Sequence, residues 1–426
     1  MRREEHELLS GLAPGTPMGD LLRRYWTAAV LSRELEADGA PVRVTLLGED
    51  LVAFRDSKGR VGLLDEHCAH RGASLYFGKN MNGGLSCWYH GWKYDVDGKC
   101  LDQPNEPPQT RFCDRVKHTA YPCIERNGVV WTYMGPPDKK PEMPALEWLT
   151  VPESHVFVSK RLQQCNWLQG MDGDIDGCHL GFLHGHVIEQ VPDLNQFRSA
   201  KWLIRDLYPV FDPVTIPSGI LLSTRRNAAE DTHYYRVNQW FLPGYTTIPL
   251  PGDGPQAGHS WVPRDRGQSW VFTFSWHPSR PLTDAERADF EEGKSAVHAE
   301  LIPGTFVPSH NKANDYADPD APPANQPWMR IKNFQDQDMS ITESMGGLYD
   351  RTRESLGSTD KVLIQTRRRL MAAARSVQEG QDPPGLDPDS FRFRPYSAEL
   401  PRSVTDWREA VGDAIETRPE TYRNSV

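Results

Sequence analysis

The stretch HCAHRGASLYFGKNMNGGLSCWYHGWKYD, residues 67–95, sets Cys68 and His70 on one short segment and Cys87 and His90 on a second. Glycines at 72, 78, 83, 84 and 91 break it into short pieces of β type. Two thiolates and two imidazoles brought together by two loops can hold tetrahedral zinc or a [2Fe–2S] cluster, because soft sulfur and imidazole suit both. Spacing helps to separate these. Zinc fingers present a Cys pair followed by a His pair, whereas here each loop supplies one Cys and one His, as a cluster with two Cys on one iron and two His on the other requires.

Outward from this stretch the pattern stays β. Upstream, VRVTLLG, EDLVAFRD and RVGLLDE alternate like strands between turn signals at Gly48-Glu49-Asp50 and Ser57-Lys58-Gly59, an antiparallel meander from Val42 to Leu64. Downstream, LSCWYHGWKYDVDGKCLD reads as a hairpin turning at Asp97-Gly98, and GVVWTYMG, from Gly128 to Gly135, as another strand. Residues 41–136 are therefore expected to form one small all-β domain. Before it, Leu21, Leu22, Tyr25, Trp26 and Val30 recur at helical spacing after the start signals Pro17 and Asp20, so 1–40 is expected to be a helical segment with a short amphipathic helix through 17–35.

The aperiodic, Pro- and Lys-rich PPDKKPEMP (136–144) ends the β domain. Past it come an interrupted helical run, CNWLQGMDGDIDGCHLGFLHGH, then the strand-like ILLSTRR, THYYRVNQWFL and SWVFTFSW, then the helix KVLIQTRRRLMAAARSVQEG. That order predicts an α+β domain over 137–426, an antiparallel sheet flanked by helices, and an α+β fold class for the whole chain.

Bulk properties narrow the function. A net charge of −10 over 426 residues argues against a nucleic-acid-binding surface. No apolar run approaches the ~18 residues that span a bilayer, and MRREEHELLS lacks the apolar centre of a signal peptide, so a cytoplasmic protein without membrane contact is expected. Seven cysteines is an odd number, which disfavours a disulfide framework; Cys100, Cys113, Cys123, Cys165 and Cys178 read as small buried residues.

A second constellation lies in the interrupted helical run, where Asp176, His179 and His184 follow one another and His186 comes two residues later. Two His and a distant carboxylate make the facial triad that leaves positions on Fe(II) open. On a straight helix, positions five apart diverge by ~140°, which favours His186 over His184 as the partner of His179. Asp176, three before His179, shares its face and can hydrogen-bond an imidazole. For the carboxylate, NFQDQDMSITESMGGLYDR offers Asp336 and Asp338.

CAHRG (68–72) with CWYHGW (87–92) resembles the signature C-x-H-R-G…C-x-x-H-G-W of Rieske non-haem iron, ring-hydroxylating oxygenases. QDMSITESMG (337–346) resembles their phthalate-dioxygenase-like branch, and the likeness runs from GTPMGDLLRRYW through ESMG and beyond. Departures are small: Ala69 stands where Pro is common, and MDGDID replaces a more usual acidic-glycine run. The resemblance implies that Cys68, His70, Cys87 and His90 ligate a Rieske [2Fe–2S] cluster, with Arg71, Gly72, Gly91 and Trp92 shaping the loops. Its D-x-x-H-x4-H pattern selects His184, so that the helix must break or end near Gly181, and its acid after Gln selects Asp338; His179, His184 and Asp338 would then hold a mononuclear Fe(II). Asp176 and Asn166 are the residues expected to act on that site, Asp176 by linking an iron His to a Rieske His of a neighbouring subunit, with Gln169 as a further supporting group.

A homo-oligomer, a trimer or hexamer, follows from the same resemblance. So do O2 and a small aromatic substrate, carboxylated like a phthalate or benzoate, that is hydroxylated, dihydroxylated or O-demethylated. A carboxylate calls for a bidentate Arg, for which Arg225, Arg226 and Arg236 in strand-like segments are the candidates. The chain has neither G-x-G-x-x-G after a strand nor C-x4-C-x2-C, so its electrons must come from a partner, in this family a flavin/iron–sulfur reductase that oxidises NADH. The alternatives are a Rieske-type electron carrier without turnover, which has no need of the second constellation, and a zinc-stabilised binding protein.

Overall fold

The computed structural model describes residues 1–110, 112–190, 200–250, 253–321 and 323–417, so the last nine positions of the expected 137–426 unit lie outside the described residues. Val42–Leu46, Glu49–Arg55 and Val61–Asp65 form the meander, and Ala120–Tyr121 adds a fourth strand. Its first turn sits earlier than the Gly48-Glu49-Asp50 signal: Leu47 and Gly48 both have positive φ, and the strand resumes at Glu49. A second four-stranded sheet, Lys79–Met81, Gly84–Ser86, Lys93–Tyr94 and Cys100–Asp102, carries the Cys87 loop between its second and third strands.

The helix expected over 17–35 is corrected. It runs only from Pro17 to Leu22, and Trp26–Leu31 is a strand paired antiparallel with Val129–Tyr133. All six of its residues are buried. A strand covered on both faces is apolar at nearly every position, so the Trp26 and Val30 spacing matches a helix template as well as a strand one. Residues 1–40 are thus not a separate helical segment, since their strand belongs to the sheet that also holds Cys123–Arg126.

The second unit is a nine-stranded antiparallel sheet. Its main path runs Val156–Gln163, Ser269–Trp276, Gln256–Pro263, Tyr245–Ile248, Thr232–Phe241, Gly219–Asn227, Val210–Phe211, and Val214–Ile216 and Tyr396–Pro401 pair at its sides. Across it lies the helix Trp167–Ile175, which comes close because residue 170 is Gly: an added Cβ would stand 2.3 Å from the Trp261 ring. The helix Phe334–Ser344 packs on that helix in turn, and Lys361–Gln378 packs against Pro17–Leu22.

One core joins both units. Trp131 of the β unit stacks on Phe274 of the large sheet at 6.0 Å, and Trp148 stacks on the same ring at 5.1 Å. Trp131, Trp148, Trp167, Trp240 and Trp276 are all fully buried. Each such ring removes about 150–250 Å² from water, worth about 4–6 kcal/mol before entropy, so this seam holds the β unit firmly on the sheet. No helix among the described residues is long and apolar enough to cross a membrane.

Candidate metal centres

The two Cys/His loops have the same hydrogen-bond pattern. In the first, Cys68 N–H donates to Ala73 O (2.9 Å) and Gly72 N–H to Cys68 O (2.8 Å); in the second, Cys87 N–H donates to Trp92 O (2.8 Å) and Gly91 N–H to Cys87 O (2.9 Å). Each closes on a glycine of positive φ, 73° at Gly72 and 80° at Gly91, a conformation that L side chains rarely adopt. This gives the H-R-G and H-G-W glycines a physical role.

Sulfur and nitrogen are segregated. Cys68 and Cys87 are buried, and burial together with the adjacent Cys68 sulfur pushes the Cys87 thiol up. The His70 and His90 rings meet edge to face at 4.5 Å nearer the surface, and His70 stacks flat on Trp92 at 4.4 Å, whose Nε1 donates to Asn105 at 2.8 Å. Among the described residues no three of the four loop ligands bring their donor atoms within 4.8 Å of one another. A single tetrahedral ion with bonds of about 2.0–2.3 Å needs such a convergence, whereas a two-iron cluster with a Cys pair on one iron and a His pair on the other does not. The donor set fits the cluster.

The second group does converge. Helix Trp167–Ile175 ends at Asp176, where ψ is 117°, and His179 opens a new short helix, His179–Leu183. The chain thus breaks at Asp176–Cys178, and the short helix that follows ends at Leu183, two residues past Gly181; Gly181 itself admits a neighbouring backbone, since an added Cβ would lie 2.4 Å from Leu203 O. His184 follows that helix, and its ring meets the His179 ring at 5.2 Å. Asp338 Oδ1 lies 3.6 Å from His179 Nε2 and 3.3 Å from His184 Nε2. One donor atom from each of the three lies within 4.8 Å of the others.

Hydrogen bonds set the tautomers. His179 Nδ1 is 3.0 Å from Asp176 O, which can only accept, so Nδ1 carries the proton and Nε2 presents its lone pair. His184 Nδ1 is 2.8 Å from Gln337 Oε1, and Gln337 Nε2 donates to Ile331 O at 3.1 Å, which fixes the amide as an acceptor toward His184. Two imidazoles that each offer Nε2, with a carboxylate facing the same point, are the donor set of a metal ion. Sequence reasoning assigned no role to Gln337; its place directly before Asp338 was the available signal.

Other expected residues separate. Asp336, two positions from Asp338, projects about 200° away around the helix. There it bonds His310 Nδ1 at 2.7 Å, and burial lifts its carboxyl to about 6 despite that partner. His186 packs its ring on Trp328 at 5.1 Å, outside the convergent group. Asp176 accepts from Cys178 N–H at 2.7 Å; burial opposes its ionisation, but the His179 side chain and the local backbone N–H groups hold its carboxyl below the ordinary value.

Asn166 is corrected from a site residue to a helix cap: its Oδ1 accepts from Leu168 N–H and from Arg351, and its amide donates to Arg266 O. At the far end of its helix from Asp176, it is spent on the termini it joins. Gln169 likewise ties the helix to Thr342 O and Gly346 O.

Beside the triad opens a cavity that communicates with solvent, walled by Leu180, Ile188, Leu203, Ile248, Leu250 and Phe334. Arg236 enters it, and its guanidinium makes no hydrogen bond or ion pair among the described residues. Arg226 does not enter: buried, it donates Nε–H to Asp206 O at 3.0 Å and Nη2–H to Gly177 O, bracing the break before His179. Arg225, on the opposite side of the same strand, is not part of the lining either. Neither is therefore placed as an anchor: Arg226 shares the face of its cross-strand partner Tyr234, which lines the cavity, but is spent on two backbone carbonyls, and alternation turns Arg225 to the other face.

Comparison with known proteins matches residues 25–120 to the Rieske [2Fe-2S] domain and residues 132–424 to the LigXa C-terminal domain like family. The chain is 36% identical to the 3-chlorobenzoate-3,4-dioxygenase oxygenase subunit of Comamonas testosteroni, over 97% of this chain and 98% of that one. It is 34% identical to the phthalate 4,5-dioxygenase oxygenase subunit of Pseudomonas putida, over 95% and 94%. Among solved structures, the terminal oxygenase of carbazole 1,9a-dioxygenase from Novosphingobium sp. KA1 superposes with a TM-score of 0.56 at 20% identity, covering 88% of this chain and 100% of that chain.

Proposed function

The chain belongs to the Rieske non-haem iron oxygenases, oxidoreductases whose oxygenase components pair a [2Fe–2S] cluster with a mononuclear iron, and from that premise we propose that it uses O2 to oxidise an aromatic carboxylate. In this reading residues 41–136, completed by the strand Trp26–Leu31, carry the cluster on Cys68, His70, Cys87 and His90. Residues 137–426 carry the iron on His179, His184 and Asp338. When bound, the cluster supplies single electrons and the iron supplies open positions for O2 and substrate. The convergence of His179, His184 and Asp338 within 4.8 Å, beside an apolar cavity, is the observation that carries the reading.

The chain's own residues do the rest. His179 and His184 are aimed by the hydrogen bonds of their Nδ1 atoms to Asp176 O and Gln337 Oε1. The apolar wall keeps water from the ring, and Arg236 anchors a carboxylate through a charge-assisted, bidentate contact. Products of hydroxylation, dihydroxylation and O-demethylation all suit this arrangement.

Electrons reach the chain from a separate reductase and cross between subunits of a homo-oligomer, a trimer or hexamer. The relatives' names, "oxygenase subunit" and "terminal oxygenase", support a multicomponent system. Two apolar patches support the subunit contact. The exposed Trp88 and Tyr89 directly precede His90, with the Tyr89 ring 3.8 Å from the His90 ring, and Ile341, Met345 and Leu356, all exposed, line an opening beside Asp176. Docked head to tail, such patches close a ring and bring Asp176 against a neighbour's histidines.

The test is iron and acid-labile sulfide content with an EPR spectrum of the dithionite-reduced protein, on wild type and His179→Ala. The reading expects about three Fe and two sulfides per chain, with one Fe lost and the Rieske signal kept in the variant. Two Fe per chain, unchanged by the substitution after anaerobic Fe(II) reconstitution, leaves an electron carrier instead.

A further inference from the structure

Asp174 lies in the last turn of the helix Trp167–Ile175 and lines the same cavity as His179, His184, Asp338 and Arg236. Its Oδ2 takes three donors: Thr246 Oγ1 at 2.5 Å, Trp261 Nε1 at 2.7 Å and His259 Nδ1 at 2.8 Å. All three come from the two sheet strands beneath the helix, Tyr245–Ile248 and Gln256–Pro263. Its Oδ1 makes no hydrogen bond among the described residues and, unlike Asp172 Oδ1, is not sealed inside the protein. The carboxylate is therefore locked by one oxygen and open to the cavity by the other.

Burial opposes the ionisation of Asp174, but the charge and hydrogen bond of His259, with Thr246 and Trp261, hold its carboxyl below the ordinary value. An ionised carboxylate only accepts hydrogen bonds. Arg236 and Asn238 share one face of the strand Thr232–Phe241, and Asn238 Nδ2 stands 3.5 Å from Asp174 O, so the cation and the anion occupy neighbouring parts of one wall. They form no ion pair with each other. Each is left for a ligand.

We infer that the substrate carries, besides its carboxylate, a hydrogen-bond donor on the ring, a phenolic hydroxyl or an aryl amine, and that Asp174 Oδ1 selects for it. The carboxylate half rests on the role of Arg236 proposed above; the donor half rests on Asp174 alone. A ring that brought only a methyl group to this oxygen would strip it of water and return nothing, which is how a site built around a polar group rejects an isostere.

Calorimetric titration of the holoenzyme, without reductant, with the 3- and 4-hydroxy-, amino- and methylbenzoates tests this. A hydroxyl or amino ligand is expected to bind about tenfold or more tighter than the methyl analogue at one ring position. Asp174→Asn is expected to erase that ratio for the amino ligands: the three donors hold its carbonyl oxygen, which turns its NH2 to the cavity and sets donor against donor, whereas a hydroxyl can still accept there. Arg236→Gln is expected to weaken every benzoate alike and keep the ratio.

Wild-type protein that ranks no donor ligand above its methyl analogue overturns the inference and leaves Arg236 untouched, as does an amino-to-methyl ratio unchanged in Asp174→Asn. Phenol or aniline bound in preference to toluene, with no gain from a carboxylate, overturns the Arg236 reading and keeps Asp174. Should Asp174→Asn fail to fold by circular dichroism, the wild-type ratio decides.

Discussion

The loops carrying Cys68/His70 and Cys87/His90 each close on their own backbone, between Cys68 and Ala73 and between Cys87 and Trp92, whereas His179, His184 and Asp338 meet only because two helices from distant parts of the chain pack together. The first centre is a property of two short peptides held by a small β unit. The second is a property of a core. Local closure makes a ligand set robust to what happens elsewhere, and long-range assembly makes it dependent on every contact that positions the helices.

The largest effects break the comparison directly. Cys87→Ala is expected to lose the cluster and all reductase-driven turnover, whereas Asp338→Ala is expected to lose one iron and turnover by at least about a thousandfold while the reduced-cluster EPR signal stays as in wild type. Metal content and EPR on both variants check this. Loss of the cluster signal in Asp338→Ala would show the two centres to be one cooperative unit.

A smaller effect sharpens it. Gln337 touches His184 and not the ion, and its amide is fixed in turn by Ile331 O. Gln337→Leu removes the acceptor that holds the His184 tautomer, and Fe(II) affinity measured by competition with a chelator is expected to fall about 10–100-fold. Gln337→Glu keeps an acceptor there and is expected to recover most of it. The cluster should register neither change.

The same contrast governs what could be read from sequence. The Cys and His of the two loops lie two and three residues apart, with glycines marking the turns, so donor type, spacing and conformation are all local information. The Asp176–His184 segment is legible as a pattern, and its short helix does end just past Gly181, but the earlier break at Asp176–Cys178 carries no local signal, because it is braced by Arg226 from a strand far along the sequence. Asn166 illustrates the limit: polar and near the motif, it is a cap, and only the tertiary position of Arg351 and Arg266 reveals that. Trp26–Leu31 is hidden for a related reason, since burial on both faces erases the alternation that marks a strand.

Gly72 and Gly91 give the finest test, because they compare the two loops with each other. Both have positive φ, so replacing either by Ala costs about 1–2 kcal/mol from the backbone alone. They differ in surroundings: an added Cβ at Gly72 meets nothing within 4 Å, whereas at Gly91 it would lie 2.6 Å from Pro104 Cγ. Relief there must move Pro104, next to the Asn105 that holds Trp92 and, through the stacked rings, His70. Gly91→Ala is therefore expected to cost about 1–3 kcal/mol more than Gly72→Ala in thermal unfolding of the holoprotein and to lower cluster occupancy, with the mononuclear iron retained in both. Equal losses would mean that backbone conformation alone governs these loops and that Pro104 yields freely; a larger loss at Gly72 would reverse the order and place the sensitive loop on the Cys68 side.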